Sequence, residues 1–336
     1  MQTKRLIFHL GFPKTASTTL QKNLDPLKII NLGKGGLLDS CRDAKIAWYE
    51  MMDCGGATIN NDKFDKALSI FLSLVEVYLQ ENLCFQNTVI ITDESLANRI
   101  RVADLFSVIK KIEFELMRIL EKVKCGWVSE FVFTIRNQAD LIESLVAFDN
   151  YKYGRKLKIT TDDWARTASE KHQSAYIFQA LDLSFLTAEA RRILRKDIRF
   201  VPFEFIRSHG FEYYAREALN GDFLVKKIEI KNMRISDGIQ ANYMYKISCY
   251  KIPVRWIIRL NLVRGFINRF IKNSKVRKFL IDKFVMPTLS AETFNLSFAE
   301  KRIIMDFYSS MNKIALSPIY SDYFLKKCGY VISDEK

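Results

Sequence analysis

Short, uniformly apolar runs alternate along this chain with longer segments in which apolar residues recur every three or four positions. The runs are Leu6-Ile7-Phe8-His9-Leu10, Asn87-Thr88-Val89-Ile90-Ile91-Thr92 and Phe131-Val132-Phe133-Thr134-Ile135. Each is too short for a buried helix and rich in apolar β-branched or aromatic residues, so each is expected as a buried strand. Phe64 to Leu83 presents Leu68, Phe71, Leu72, Val75 and Leu79 as one apolar stripe, the signature of an amphipathic helix. Leu105 to Val123 repeats that pattern, and Leu141, Leu145 and Phe148 mark a helix over 138–151. Residues 25–62, rich in glycine and aspartate, read as a loop.

Buried strands alternating with amphipathic helices predict an α/β fold, a Rossmann-like central parallel sheet with flanking helices. The 336 residues, 49% of them hydrophobic and 27% charged, suffice for one large core. No internal repeat or low-complexity linker breaks the pattern, so 1–336 is expected as a single domain. Within it, 240–290 is expected as a mostly helical, basic insertion.

Charge singles out that insertion. The formal net charge is +14, and +10 of it lies between Lys246 and Lys283, where eleven basic residues stand against Asp282. Trp256, Ile257, Leu260, Val263, Phe266, Ile267, Phe270 and Ile271 interleave at helical spacing. A basic amphipathic helix suits an anionic membrane surface, and it equally suits a grip on an acidic or lipid-linked glycan. A solvated basic face over an ordinary core helix carries equal weight. No nucleic-acid reading module accompanies the charge, so nucleic acid is not expected as a partner. No run of about 18 apolar residues is present, and Met1–Arg5 leads straight into the first strand pattern. A cytoplasmic location, at most at the inner face of the membrane, is therefore expected. The six cysteines show no C-x-x-C spacing and read as reduced thiols.

The densest chemistry follows the first strand pattern. Gly11 and Pro13 break the run, Lys14-Thr15-Ala16-Ser17-Thr18-Thr19 follows, and Leu20-Gln21 opens a helix. A strand, a tight loop and a helix starting in hydroxyl residues is how α/β proteins bind phosphate-like anions. The helix start offers unpaired N–H groups, the hydroxyls add donors, and Lys14 adds charge. A nucleotide-hydrolase loop would need a second glycine and Lys directly before the hydroxyl residue, and this loop has neither.

Pro13-Lys14-Thr15-Ala16-Ser17-Thr18 instead resembles the 5'-phosphosulfate loop of sulfotransferases that use 3'-phosphoadenosine-5'-phosphosulfate (PAPS), with Ala16 where that family usually has glycine. In that family a strand ends in Arg, and a Ser eight residues on joins it in holding the 3'-phosphate. Arg136, directly after the third strand pattern, and Ser144 have that spacing. A guanidinium fork matches a phosphate dianion, and a helical hydroxyl can donate to it. The resemblance further implies a Glu base at the end of a strand, here Glu94 with Asp93 as its structural neighbour, and His172 as the rival base. Arg234 is a further candidate nucleotide contact. Phe203-Glu204, Asn312 and Gly329-Tyr330 are similar to the family's aromatic-Glu pair, late helical Asn and terminal Gly-Tyr. His9 reads as a packed residue orienting the loop, and His209 as turn material.

The function implied is transfer of a sulfuryl group from PAPS to a hydroxyl of a carbohydrate or glycolipid. Lys14 would stabilise the departing phosphate and Glu94 would take the acceptor's proton. No metal is expected to be required. Two other readings stand beside it: a nucleotide-dependent phosphotransferase needing Mg²⁺, and a catalytically silent relative bound to membrane through 246–283.

Overall fold

In a computed structural model, the chain is described over residues 3–12, 17–54, 62–83, 85–93, 102–143, 181–225 and 296–331. Two compact units divide the chain, and every described residue belongs to the first, which spans 1–145, 158–233 and 296–336. The second, 146–157 with 234–295, lies outside the described residues, as does the basic insertion expected at 240–290.

Five strands form the sheet: β1 (Lys4–Gly11), β2 (Ile30–Asn31), β3 (Thr88–Thr92), β4 (Trp127–Ile135) and β5 (Ile198–Pro202). Their order is β2-β3-β1-β4-β5, and every pairing is parallel. This is the α/β parallel architecture that the alternating pattern predicts. β1 lies at the centre and is buried from Leu6 onward, which is why its sequence reads as an unbroken apolar run.

The pleat sends alternate side chains to two cores. On one face Ile7, Ile90, Val132 and Val201 pack with α1 (Ser17–Lys22), α7 (Phe205–His209) and α8 (Phe211–Leu219) through Leu20, Phe205, Phe211 and Tyr214. On the other, Phe8 stacks on Phe131, and Phe133 lies between Phe12 and Phe200, with centroids 5.2–6.3 Å apart. The helix α5 (Val102–Val123) packs on β4, α6 (Leu183–Leu194) on α5, and α9 (Phe298–Leu316) on α6. A capping box between Ser297 and Glu300 starts α9, and α10 (Asp322–Lys327) follows it. No helix among the described residues is long and apolar enough to cross a membrane.

Segment 25–62 departs from the loop expectation. It contains β2, α2 (Leu37–Ser40), α3 (Arg42–Cys54) and the start of α4 (Asp62–Asn82). Ala44, Ala47, Trp48, Met51 and Met52 fall at helical spacing and are buried, a stripe obscured by the surrounding glycines and aspartates.

Two arginines close the C-terminal end of α8. Arg5 of β1 donates to the carbonyls of Leu219 and Asn220 and pairs with Glu130 at 2.5 Å. Arg199 of β5 donates to those of Glu217 and Ala218. Cations here satisfy orphan carbonyls and oppose the helix dipole, so this share of the positive charge serves the fold.

Candidate functional site

The connections determine where a ligand can enter this sheet. After β1 the chain runs to β2 on one side, whereas after β4 it runs to β5 on the other. The adjacent carboxyl ends of β1 and β4 therefore flank a topological switch point, where open α/β sheets form a ligand crevice. One side is Gly11-Phe12, leading into the Lys14 loop; the other is Arg136-Asn137. Phe12 N–H donates to the Thr134 carbonyl at 3.1 Å, and a Cβ on Gly11 would collide with the Thr134 side chain. The two strand ends are thus in direct contact.

Arg136 is half-buried, its guanidinium 5.1 Å from the centroid of the Phe203 ring. Burial lowers its pKa while Asp140 and Glu204 raise it, and the group stays a cation. Behind it lies a buried polar cluster. One Glu204 oxygen accepts from Asn137 N–H at 2.9 Å, and the other from the Tyr330 hydroxyl at 2.6 Å. Burial pushes the Glu204 carboxyl above its ordinary range, against the pull of those two donors and of the Arg136 charge. Asn137 Nδ2 donates to the carbonyls of Gly329 at 2.5 Å and Cys328 at 3.3 Å. Gly329 has φ +72° and an added Cβ would meet Asn137 Nδ2 at 2.7 Å, so only glycine suits that approach. Gln138 and Asn312 exchange amide hydrogen bonds of 2.6 and 3.0 Å, and Asn312 also donates to the Tyr330 carbonyl. The structure thereby gathers Arg136, Glu204, Asn312 and Tyr330, which lie far apart in sequence, around the end of β4. Asn137 and Gln138 drew no reading of their own; two amides directly after an apolar strand were the available signal.

A second buried carboxylate stands at the end of β3. Asp93 is fully buried, accepts from Trp48 Nε1 at 2.9 Å and pairs with Lys34 Nζ at 2.8 Å. Asn31 shapes the turn that delivers Lys34: its Oδ1 accepts from Gly33 N–H and its Nδ2 donates to the Lys34 carbonyl. A Cβ on Gly33 would run into the Thr92 backbone, which explains the glycine there. Lys34 was hidden in a stretch read only as loop.

His9 is buried in β1, level with Thr92 and Val132, and Arg199 is level with Val132 on β5. Among the described residues neither ring nitrogen has a hydrogen-bond partner. Burial, helped by the Arg199 charge, lowers its pKa to about 4, so the packed imidazole is neutral. The unfolded chain binds this proton near pH 6.5 and the native chain does not until about pH 4. Stability is therefore expected to be complete above pH 6.5 and to fall with pH towards 4, by about 3 kcal/mol. Urea titrations across this window should show the loss, and His9→Gln should remove that share of the pH dependence. His209, by contrast, ends α7 before Gly210 and stacks on Tyr213 at 4.5 Å.

Of the residues singled out for chemistry, Pro13, Lys14, Thr15, Ala16, Glu94, Ser144, His172 and Arg234 lie outside the described residues. Ser17 and Thr18 are described only as the start of α1. Among the described residues, no group of three His, Cys, Asp or Glu side chains could hold a metal ion. What remains is a cation directly after β4, beside the topological switch point, an arrangement suited to anion binding. Compared with known family models, curated proteins and solved structures, the chain matches none.

Proposed function

We propose that this chain is a sulfotransferase that moves a sulfuryl group from PAPS to a hydroxyl of a carbohydrate or glycolipid. One observation carries the reading. The strand leading into Pro13-Lys14-Thr15-Ala16-Ser17-Thr18 and the strand ending at Arg136 are hydrogen-bonded neighbours at the switch point. Two anion-binding elements that the resemblance assigns to the 5' and 3' ends of one nucleotide thus begin from adjacent strand ends. The half-buried guanidinium over Phe203 fits a 3'-phosphate, which a planar fork can grip through two oxygens.

In the reaction, the bond from sulfur to the donor phosphate oxygen breaks as the acceptor oxygen bonds to sulfur in line. Lys14 stabilises the charge growing on the departing oxygen, and Ser17 and Thr18 supply further donors there. Glu94, with His172 as the rival, accepts the acceptor's proton. Ser144 and Arg234 join Arg136 on the nucleotide. The acceptor class rests on the form of the loop, which resembles the glycan and bacterial branch of the family. An acidic or lipid-linked acceptor, or an anionic membrane surface, is the natural partner for 246–283.

Calorimetric titration with adenosine 3',5'-bisphosphate, 5'-AMP and ATP in the presence of EDTA tests the reading. Binding that depends on the 3'-phosphate and needs no metal is expected. Arg136→Ala should weaken the bisphosphate by about 10²-fold, the loss of a charge-assisted pair, with little effect on 5'-AMP. A preference for ATP that appears only with Mg²⁺ would move the chain to the phosphotransferases.

A further inference from the structure

We propose that Tyr330, Glu204 and Phe203 are positioning residues that set the direction of Arg136 towards the 3'-phosphate; the proposal rests on the donor site inferred above. Phe203 and Glu204 bracket the arginine. Phe203 N–H donates to the carbonyl of Ile135, the residue before Arg136, at 2.7 Å. The Glu204 carboxylate accepts from the N–H of Asn137, the residue after it, at 2.9 Å. Between these two ties the Phe203 ring lies beneath the guanidinium. Backbone on both sides of Arg136 and the plane of its side chain are therefore held by one dipeptide at the end of β5. A fork that must meet two phosphate oxygens at once is sensitive to such orientation, more than a lysine would be.

Tyr330 supplies the second half of the device. The Glu204 carboxyl is tied to the N–H of the residue next to Arg136, which sets it beside that arginine. Left with one oxygen unbonded in the interior, it would turn to the guanidinium and compete with the phosphate for the fork. The Tyr330 hydroxyl, fully buried and 2.6 Å from that oxygen, keeps it engaged. The Gly329 and Cys328 carbonyls fix Asn137 from the same segment. The buried cluster thus acts as a latch that keeps a carboxylate beside the phosphate-binding arginine without letting it take the phosphate's place.

The test is Tyr330→Phe in the full chain, which keeps the ring and removes the hydroxyl. The readout is the ratio of dissociation constants for 5'-AMP and adenosine 3',5'-bisphosphate, measured by calorimetry beside the unfolding midpoint. A fall of the ratio by at least tenfold is expected. In the Tyr330→Phe background, Glu204→Gln removes the competing charge and should recover the ratio at least threefold, whereas a merely structural role predicts a further loss. If Tyr330→Phe does not fold, Phe203→Leu is read in the same titration with the same tenfold expectation. A ratio within twofold of wild type in the folded variant overturns the latch and leaves the donor site standing. A wild-type ratio near one overturns the donor site itself, and the latch with it.

Discussion

Lys14→Ala should lower the rate of sulfuryl transfer by about 10²–10³-fold, the loss typical for one preorganised group that meets developing charge. The transferred group is close to neutral in transit, so the bridging oxygen of the departing phosphate gains most of the negative charge. An ammonium provided by the loop after β1 is the full cation that the resemblance puts there, whereas hydroxyls and amides contribute partial charges. The loss should therefore appear in kcat, while affinity for adenosine 3',5'-bisphosphate, which the proposed site assigns largely to Arg136, changes by less than tenfold. Lys14→Arg should recover part of the rate, because the charge returns with a different shape. A Lys14→Ala enzyme that retains its wild-type kcat would remove Lys14 from the reaction.

The second large effect concerns stability. Asp93→Ala is expected to cost about 3 kcal/mol, read as a lower urea midpoint at unchanged m value. The carboxylate is fully buried and holds both the Trp48 indole N–H and the Lys34 ammonium. Its removal strands a buried donor and takes from Lys34, whose side chain is only 19% exposed, the carboxylate 2.8 Å from its ammonium. Asp93→Asn keeps an acceptor for Trp48 and should cost about half as much. Equal costs for the two variants would mean that the ion pair, not the indole hydrogen bond, carries the whole effect. Because Asp93 directly precedes Glu94, the same substitutions probe whether this anchor also disciplines the candidate base.

The parallel sheet was legible because burial on both faces leaves its mark on every residue. Leu6 to Leu10 and Phe131 to Ile135 could hardly be anything else. β2, at two residues, is too short to show any period, and α3 hides its stripe among glycines and aspartates. Local sequence also has no means of announcing a partner far along the chain. Gln138 and Asn312, 174 residues apart, form a closed amide pair that no spacing rule anticipates. Resemblance points to Glu204 and Tyr330, but their hydrogen bond to each other, and the bracket around Arg136, emerge only when the strands are assembled. For the loop 13–16, Glu94, Ser144, His172 and Arg234, the chemistry still stands on sequence and resemblance alone.

The span between Asn137 and Gly329 also sets a timetable for biosynthesis. Ribosomes add about 5–20 residues per second, so the 192 positions separating these two residues take roughly 10–40 s to appear. During that interval all five strands can already be paired, since β5 ends at Pro202. The Glu204 carboxylate, however, still lacks its tyrosine, and the Asn137 side chain still lacks its carbonyls. A nascent chain can therefore pair its five strands before these two contacts at the end of β4 exist. The Glu204–Tyr330 and Asn137–Gly329 contacts are then among the last of the described contacts that the growing chain can make.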